Sequence, residues 1–230
     1  MPRAFLSAEW RDLLLLNYEV PAEALSAFVP RGVRLDAPEG RCFVSLVGFR
    51  MLDARLLGVS VPWHRDFEEV NLRLYVARGE RRGVAFVKEI VPRRALAWVA
   101  RLAYNERYHA RRMSHVAGPG WIEFAWREGR RECRFGARPA GSWALPAEGS
   151  HERFIVDHLF GYARQRDGGT VEYEVEHPLW RVRPAADVRV DVDFERAYGG
   201  LGRHLAGPPA SALFAEGSPV RVARPRRLPS

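Results

Sequence analysis

The residues best suited to chemistry lie in one predicted β-hairpin, formed by a strand over 67–77, the turn GERRG and a strand over 84–91. Successive side chains of a strand point to opposite faces of its sheet, so each strand divides into two rows. On the first strand one row is aliphatic and the other is polar, the polar row being Glu69, Asn71, Arg73 and Tyr75. Such a row is typical of a solvent-facing surface, but in a closed barrel it lines a polar cavity.

The second strand carries Lys88, which is the single lysine among 36 basic residues. An excess of arginine is typical of coding bias or thermal adaptation, and by itself it indicates no function. The two side chains nevertheless differ chemically, because arginine stays charged whereas a buried lysine amine can lose its proton and attack a carbonyl carbon. Lys88 is therefore a candidate nucleophile.

The strand around Lys88 is apolar on both faces, which predicts that other parts of the protein cover both. Strict alternation puts Lys88 in the row of Val84 and Phe86, and Glu89 in the opposite row. One of these two charges is expected to be buried or to face a cavity, and the sequence leaves open which one. The expected counter-ion of Lys88 is Glu69. The pair is either a structural ion pair between strands, or an amine beside a carboxylate that suits binding of an oxo-acid or imine formation with it.

The elements that must position this hairpin are mostly strands. Apolar or alternating runs bounded by turn-forming residues are typical of strands and hairpins. Such runs predict single strands over 13–20, 42–51 and 186–194, and further hairpins over 121–137 and 161–177. This succession of short strands favours a β-rich (α+β) fold class.

Helices are fewer and shorter. Pro21 is suited to the first turn of a helix of about eight residues, and apolar side chains recur at helical spacing over 93–104. The absence of a linker or repeat predicts one domain over 1–230 with two or three short helices. The basic tail over 220–230 is interpreted as a frayed terminus rather than a binding arm.

The composition excludes several classes of protein. Hydrophobic residues make up 47% of the 230, enough for a packed core, and no apolar run is long enough for a membrane-spanning helix. Two cysteines are too few for a disulfide framework, so a cytoplasmic location is expected. The net charge of +8 is interleaved with acidic residues instead of being concentrated on one element, which argues against nucleic acid as a partner.

Motifs for cofactors and metals are missing from the sequence. It has no glycine-rich dinucleotide or phosphate loop and no nucleophile elbow, so no cofactor is expected. The seven histidines lack the close spacing of a common metal site, so no metal is predicted. His151 and His158 stand seven residues apart and are interpreted as capping and core residues. A homo-oligomer is left open.

Three long runs of the sequence resemble the YqjF-like family of uncharacterised bacterial proteins. They are WRDLLLLNYEVPAEALSAFVPRGVRLD, CFVSLVGFRMLDARLLGVSVPWHRDFEEVNLRLYV and HLFGYARQRDGGTVEYEVEHPLW, within a match over nearly the whole chain. That family is distantly similar to acetoacetate decarboxylase, through the stretches over 24–36 and 83–101. The similarity implies a cone-shaped β-barrel around a buried cavity.

The resemblance to the decarboxylase implies roles for some residues. It implies that Arg11 holds the substrate carboxylate and that Glu69 is the active-site glutamate. The lysine pair of the decarboxylase, which supplies its Schiff-base nucleophile, matches Tyr108 and His109, neither of which is an amine. Acetoacetate decarboxylase activity itself is therefore not expected, and Lys88 is the candidate for a relocated amine.

These residues are consistent with two functions. The first is a lyase-like enzyme acting on a small oxo-acid, with Lys88 as an amine or plain cation and Glu69 as a proton shuttle. The second is a non-catalytic protein that binds a small-molecule carboxylate in the same cavity. The residues expected to contact the ligand are Arg11, Arg73, Tyr75, Tyr108 and His109. A basic interaction protein is a third hypothesis, which the interleaved charge disfavours.

Overall fold

A computed structural model describes residues 4–60, 65–92 and 108–229, and most of them form strands. In chain order the strands are β1 (Leu6–Glu19), β2 (Arg34–Leu35), β3 (Phe43–Leu56), β4 (Val59–Ser60), β5 (Phe67–Arg78), β6 (Arg81–Val91), β7 (Tyr108–Ala110), β8 (Met113–Gly118), β9 (Trp121–Glu128), β10 (Arg131–Pro139), β11 (Phe160–Arg164), β12 (Thr170–Glu176), β13 (Val182–Asp191), β14 (Ser211–Ala215), β15 (Pro219–Val222) and β16 (Arg226–Arg227). The described α-helices are α1 (Ala22–Leu25), α2 (His151–Val156) and α3 (Phe194–Tyr198), with 3-10 turns at Ser26–Phe28, Pro38–Gly40 and Gly199–Leu205. The predicted β-rich fold class is confirmed.

Seven of the described strands close into a barrel, in the order β3, β5, β6, β11, β12, β15 and β1. Antiparallel pairing of β1 with β3 completes the ring. The first half of β1 pairs with β15 inside the ring, and its second half pairs with β14, where the sheet leaves the barrel. Closure turns one face of each of these strands into an interior.

The sheet continues beyond the barrel as an outer layer. From β14 it runs through β13, β10 and β9 to β8, and this layer packs against the outer face of the barrel. At Gly48 on β3 the two layers approach so closely that a Cβ atom would lie 2.3 Å from the Phe124 ring of β9. Only glycine fits at this position, because any side chain would displace the aromatic ring.

Because the sheet forms a barrel and an outer layer, the protein has two apolar cores. The inner core lies inside the barrel and contains Leu13 and Leu15, whereas the outer core lies between the barrel and the outer layer and contains Leu14 and Leu16. Neighbours along a strand point to opposite faces, so a strand covered on both faces is a continuous apolar run. The LLLL sequence over 13–16 is such a run.

Most predicted elements are present. The three predicted hairpins are confirmed as β5–β6, β9–β10 and β11–β12. The helix predicted from Pro21 is shorter than expected, because α1 passes into a 3-10 turn after four residues. The helix predicted over 93–104 lies outside the described residues. No helix in the described ranges is long and apolar enough to cross a lipid bilayer.

The basic tail is paired and not frayed. β15 pairs with β1 and β12, and β16 pairs with β12. The interpretation as a frayed terminus is wrong because the arginines of the tail alternate with apolar residues. Val220 and Val222 are buried at 1% and 5% exposure, whereas Arg221 between them is exposed.

Candidate functional site

A cavity of about 150 Å³ lies inside the barrel. Aromatic and aliphatic side chains form most of its wall, among them Trp10, Phe49 and Trp180. Within the described ranges, the polar or charged residues of the wall are Glu69, Asn71, Arg73, Glu89, Tyr108, His158, Tyr173 and His177. An internal cavity of this size holds benzene, so the space suits a ligand of about six non-hydrogen atoms.

The polar row of β5 faces this cavity. Glu69 and Asn71 are each 3% exposed, and the amide of Asn71 donates a hydrogen bond to Glu69 Oε1 at 3.0 Å. β5 pairs regularly with β3 from Phe67 to Leu74, so the predicted division into rows is retained. The interpretation of this row as a solvent-facing surface is wrong, and the cavity-lining alternative is confirmed for Glu69, Asn71 and Arg73.

A β-bulge in β6 decides which charge faces the cavity. The consecutive residues 72 and 73 of β5 lie opposite Lys88 and Phe86, so Val87 between these two has no partner on β5. The extra residue reverses the alternation of faces beyond it. Phe86 and Glu89 consequently both line the cavity, although strict alternation puts them in opposite rows. Glu89 is 1% exposed.

Lys88 lies on the other face of β6, between the barrel and the outer layer. Its Nζ donates hydrogen bonds to Glu128 Oε2 at 2.8 Å and to the backbone oxygen of Ala197 at 3.0 Å. Glu128 also accepts a hydrogen bond from Arg111 at 2.9 Å. Burial raises the pKa of Glu128, but the hydrogen bonds from Arg111 and Lys88 outweigh burial and hold that pKa below its ordinary value.

The structure therefore does not bring Lys88 together with Glu69. The expected ion pair between them is wrong because the bulge places the two side chains on opposite sides of the sheet. The ion pair that does form, with Glu128, joins the barrel to the outer layer. The distinction matters chemically, since an amine on the outer face has no access to a carbonyl group inside the barrel.

The permanent cation among the described residues of the cavity wall is Arg73. Its Nη2 donates a hydrogen bond to the backbone oxygen of Ile155 at 3.3 Å, and its guanidinium carbon lies 5.6 Å from the centre of the Tyr75 ring. Its Nε is buried and has no hydrogen-bond partner within the described part of the chain. A buried donor without a partner costs about 1–3 kcal/mol, and more when it is charged. Folded proteins rarely leave such a donor unsatisfied, so Arg73 is the residue of the wall to consider first for contact with a hydrogen-bond acceptor.

His158, interpreted from sequence as a core residue, also lines the cavity. It follows α2, and its side chain is 2% exposed. Its Nε2 lies 3.1 Å from Oδ2 of Asp36, and the same oxygen accepts a hydrogen bond from Arg82 at 2.7 Å. Its Nδ1 is buried and has no partner in the described ranges. The sequence carries no signal for this pair, because Asp36 and His158 are 122 residues apart.

The charges of the cavity are separated along its length. Glu69 and Arg73 are four positions apart on β5, a distance of about 13 Å in an extended strand. Glu89 lies opposite Asn71, midway along β5 between the positions of Glu69 and Arg73. At the other end, the charge of Arg73 contributes to lowering the pKa of His158 below its ordinary value, an effect due first to burial. The cavity thus has Glu69 at one end, Arg73 and His158 at the other, and Glu89 between them.

β7 carries two further residues that were predicted to contact the ligand, Tyr108 and His109. Of these two, only Tyr108 belongs to the described cavity wall. Tyr108 pairs beside Glu89, on the cavity side of the sheet. His109 pairs beside Ile90, which belongs to the outer core. Tyr75 is also outside the wall, and its hydroxyl is hydrogen-bonded to Ser45 Oγ at 2.5 Å.

Arg11 lies on the outside of the barrel. It follows Trp10, whose side chain lines the cavity, so alternation turns the arginine away from it. A bulge of β1 follows, where Asp12 has a φ of 58°. Arg11 forms an ion pair with Glu9, and its side chain is 37% exposed. Of these two arginines, only Arg73 belongs to the described cavity wall.

A metal-binding cluster does not form in the part of the chain that the structure describes. Within residues 4–60, 65–92 and 108–229, no three His, Cys, Asp or Glu side chains come together in a way that could hold a metal ion. The polar groups of the cavity are instead suited to hydrogen bonding and proton transfer, because they combine carboxylates, a guanidinium and an imidazole.

The sequence matches a family model over residues 7–219. The model is that of DUF2071, whose members are described as uncharacterized conserved proteins. The chain belongs to the DUF2071 family. It is similar to the uncharacterized protein YqjF of Bacillus subtilis (strain 168), with 27% identity over 188 residues that cover 79% of this chain and 77% of YqjF. The resemblance to YqjF-like proteins is confirmed.

This DUF2071 protein is also similar to solved structures. It matches acetoacetate decarboxylase from Legionella pneumophila with a TM-score of 0.73 at 11% identity, over 99% of this chain and 88% of that one. It matches the enduracididine biosynthesis enzyme MppR, complexed with pyruvate, with a TM-score of 0.69 at 12% identity, over 97% and 90% of the two chains. Identities this low establish the fold alone. The barrel of the decarboxylase is thereby confirmed for this chain.

Proposed function

We propose that this DUF2071 protein binds a small organic carboxylate of about six non-hydrogen atoms inside the barrel, with Arg73 as its anchor. The observation that carries the proposal is Arg73, a residue of the cavity wall whose buried Nε has no hydrogen-bond partner among the described residues. A carboxylate oxygen satisfies this donor and neutralises the guanidinium charge in one contact.

The rest of the wall supports the same class of ligand. Apolar side chains such as Phe49 and Val84 surround most of the space, so they suit a short carbon chain or a methyl group. Glu69 stands at the other end of the cavity, which limits its repulsion of a carboxylate at Arg73, and Glu89 lies between the two ends. Pyruvate, present in the MppR complex of the same fold, is a carboxylate of this size.

Imine formation with a substrate is less well supported. The chain has one lysine, and Lys88 is hydrogen-bonded to Glu128 on the opposite side of β6 from the cavity. Nucleophilic attack by its amine on a ligand inside the barrel would require β6 to lose its bulge and its pairing with β5. The geometry therefore favours binding and acid–base chemistry over Schiff-base chemistry.

Calorimetric titration of the full chain tests the proposal. The ligands are pyruvate, 2-oxobutyrate and lactate, with pyruvamide as a neutral analogue of pyruvate. We expect at least one of the carboxylates to bind, and pyruvamide to bind about 10-fold more weakly or worse than pyruvate. Arg73→Gln is expected to weaken carboxylate binding about 10- to 100-fold, which corresponds to the loss of one charged hydrogen bond.

Arg11→Gln is the matched control, because it removes the same charge from the outside of the barrel. We expect this variant to bind the carboxylates as the unmodified chain does. Equal affinity for pyruvate and pyruvamide, or equal weakening by the two arginine variants, would show that Arg73 is not the anchor. Failure of all three carboxylates to bind would contradict the proposed function itself.

A further inference from the structure

His158, in the cavity wall near Arg73, pairs with the partly buried Asp36 behind it, and carboxylate binding alone does not require this pair. Their side chains are 2% and 16% exposed. Asp36 Oδ2 accepts hydrogen bonds from His158 Nε2 and from Arg82. Burial raises the pKa of Asp36, but these two hydrogen bonds outweigh burial and lower the pKa to about 2. The aspartate is therefore a carboxylate at neutral pH.

The carboxylate determines which nitrogen of His158 carries the proton. A carboxylate only accepts hydrogen bonds, so Nε2 must be the donor and Nδ1 must hold a lone pair. The ring is held in place by Tyr75 and Phe154, whose ring centres lie 4.7 and 5.0 Å from its own. Nδ1 is buried and, within the described residues, accepts no hydrogen bond. The result is a fixed imidazole on a residue of the cavity wall, with a lone pair on Nδ1 that no described residue uses.

The surroundings of His158 also keep it neutral. Burial lowers its pKa below the ordinary value of 6.5, the hydrogen bond with Asp36 raises it, and the charges of Arg82 and Arg73 lower it. The balance is a lowered pKa, so the ring is an unprotonated base at pH 7. An aspartate behind a histidine orients the ring and stabilises the imidazolium that forms when it accepts a proton.

We infer that His158 is the general base for proton transfer from a small 2-oxo acid bound at Arg73, with Asp36 as its positioning residue. The inference rests on the proposed carboxylate binding. In this step the C–H bond next to the ketone breaks, the proton moves to Nδ1, and the electron pair moves into the carbonyl group to form an enolate. The imidazolium faces Asp36, and Arg73 neutralises the ligand carboxylate. Return of a proton from Nδ1 to the carbon reverses the step, so no co-reactant is consumed.

Hydrogen exchange on the ligand tests this inference. Pyruvate and 2-oxobutyrate are incubated with the full chain in D2O, and loss of the C–H signals next to the ketone is followed by proton NMR. We expect exchange faster than in buffer alone. His158→Gln is expected to reduce the protein-dependent rate about 100-fold or more while calorimetry shows that the ligand still binds.

His151→Gln is the matched control. His151 lies on α2, outside the described cavity wall, with its Nε2 2.7 Å from Ser211 Oγ. We expect this variant to leave the exchange rate unchanged. Asp36→Asn tests positioning through the pH profile, because loss of the carboxylate lowers the pKa of His158 further. We expect the midpoint of the exchange profile to move to lower pH, a change that a merely structural role of Asp36 would not produce.

Each outcome separates this inference from the proposed function. If the oxo-acids bind but exchange no faster than in buffer, the base assignment is overturned and carboxylate binding stands. If neither oxo-acid binds, this inference fails, and the titration with lactate decides whether the proposed function stands. If His158→Gln does not fold, nitrogen-15 NMR of the unmodified chain decides at pH 7. A protonated Nε2 with an unprotonated Nδ1 supports the inference, and a protonated Nδ1 overturns it.

Discussion

Replacement of Lys88 by methionine is expected to destabilise the fold without changing ligand binding. Methionine keeps most of the aliphatic stem but removes the hydrogen bonds to Glu128 and to the backbone of Ala197. The two side chains of the ion pair are only 10% and 11% exposed. Removing one partner of a buried ion pair costs about 3–5 kcal/mol. Because Arg111 stays 2.9 Å from Glu128 and shares its charge, we expect a smaller loss of about 2–3 kcal/mol.

Urea denaturation followed by tryptophan fluorescence measures this loss. The midpoint should fall with an unchanged slope, because the surface exposed on unfolding is the same. The variants Lys88→Met, Glu128→Gln and their combination form a double-mutant cycle, for which we expect a coupling energy of about 1–3 kcal/mol. The affinity for pyruvate should not change, because Lys88 lies on the opposite face of β6 from the cavity.

Two results would refute this reasoning. A loss of less than about 0.5 kcal/mol is typical of a surface substitution and would mean that the ion pair with Glu128 is not formed. Loss of pyruvate affinity with unchanged stability would place Lys88 in the cavity and restore the imine hypothesis.

Three further predictions follow from the same contacts. Reduction with borohydride in the presence of pyruvate should leave Lys88 unmodified in peptide mass maps, and an adduct there would contradict the bulge. Gly161→Ala should lower the free energy of unfolding by about 1–3 kcal/mol, because a Cβ would lie 2.1 Å from the Tyr173 ring; Gly120→Ala, with nothing within 4 Å, is the control for urea denaturation. Burial lowers the pKa of His158 below 6.5 in the folded protein. As the pH falls, this imidazole is therefore protonated in the unfolded chain before it is protonated in the folded protein. The contribution of His158 to the free energy of unfolding is therefore complete above about pH 6.5. Below that pH it falls by at most about 1.4 kcal/mol per pH unit, and His158→Gln should reduce this decline.

The faces of β5 were predictable because the strand is regular. Its polar row, which includes Glu69 and Arg73, faces one side along the whole pairing with β3, as alternation requires. The faces of β6 were not predictable beyond Val87. The bulge arises where this strand pairs with β5, and one unpaired residue exchanges the positions of Lys88 and Glu89.

His158, the candidate base, illustrates a second limit of prediction from the sequence. His158 is a single histidine after a short helix, and nothing in its neighbourhood in sequence distinguishes it from a core residue. Its chemistry depends on Asp36, which the barrel brings to it from 122 residues away. A contact of this kind is set by the closure of the sheet, and no local pattern carries it.

The sequence by itself determined the strand-rich architecture, the hairpins and the family, because hydrophobic periodicity, turn residues and shared runs are local properties of the chain. Only the tertiary structure decided which faces became an interior. Pairing of β1 with β3 closes the barrel, so a polar row that could equally face solvent becomes the wall of a cavity. The same closure brings Arg73 and His158 together and leaves Arg11 and Lys88 outside, since burial is a property of the closed sheet and not of any one strand.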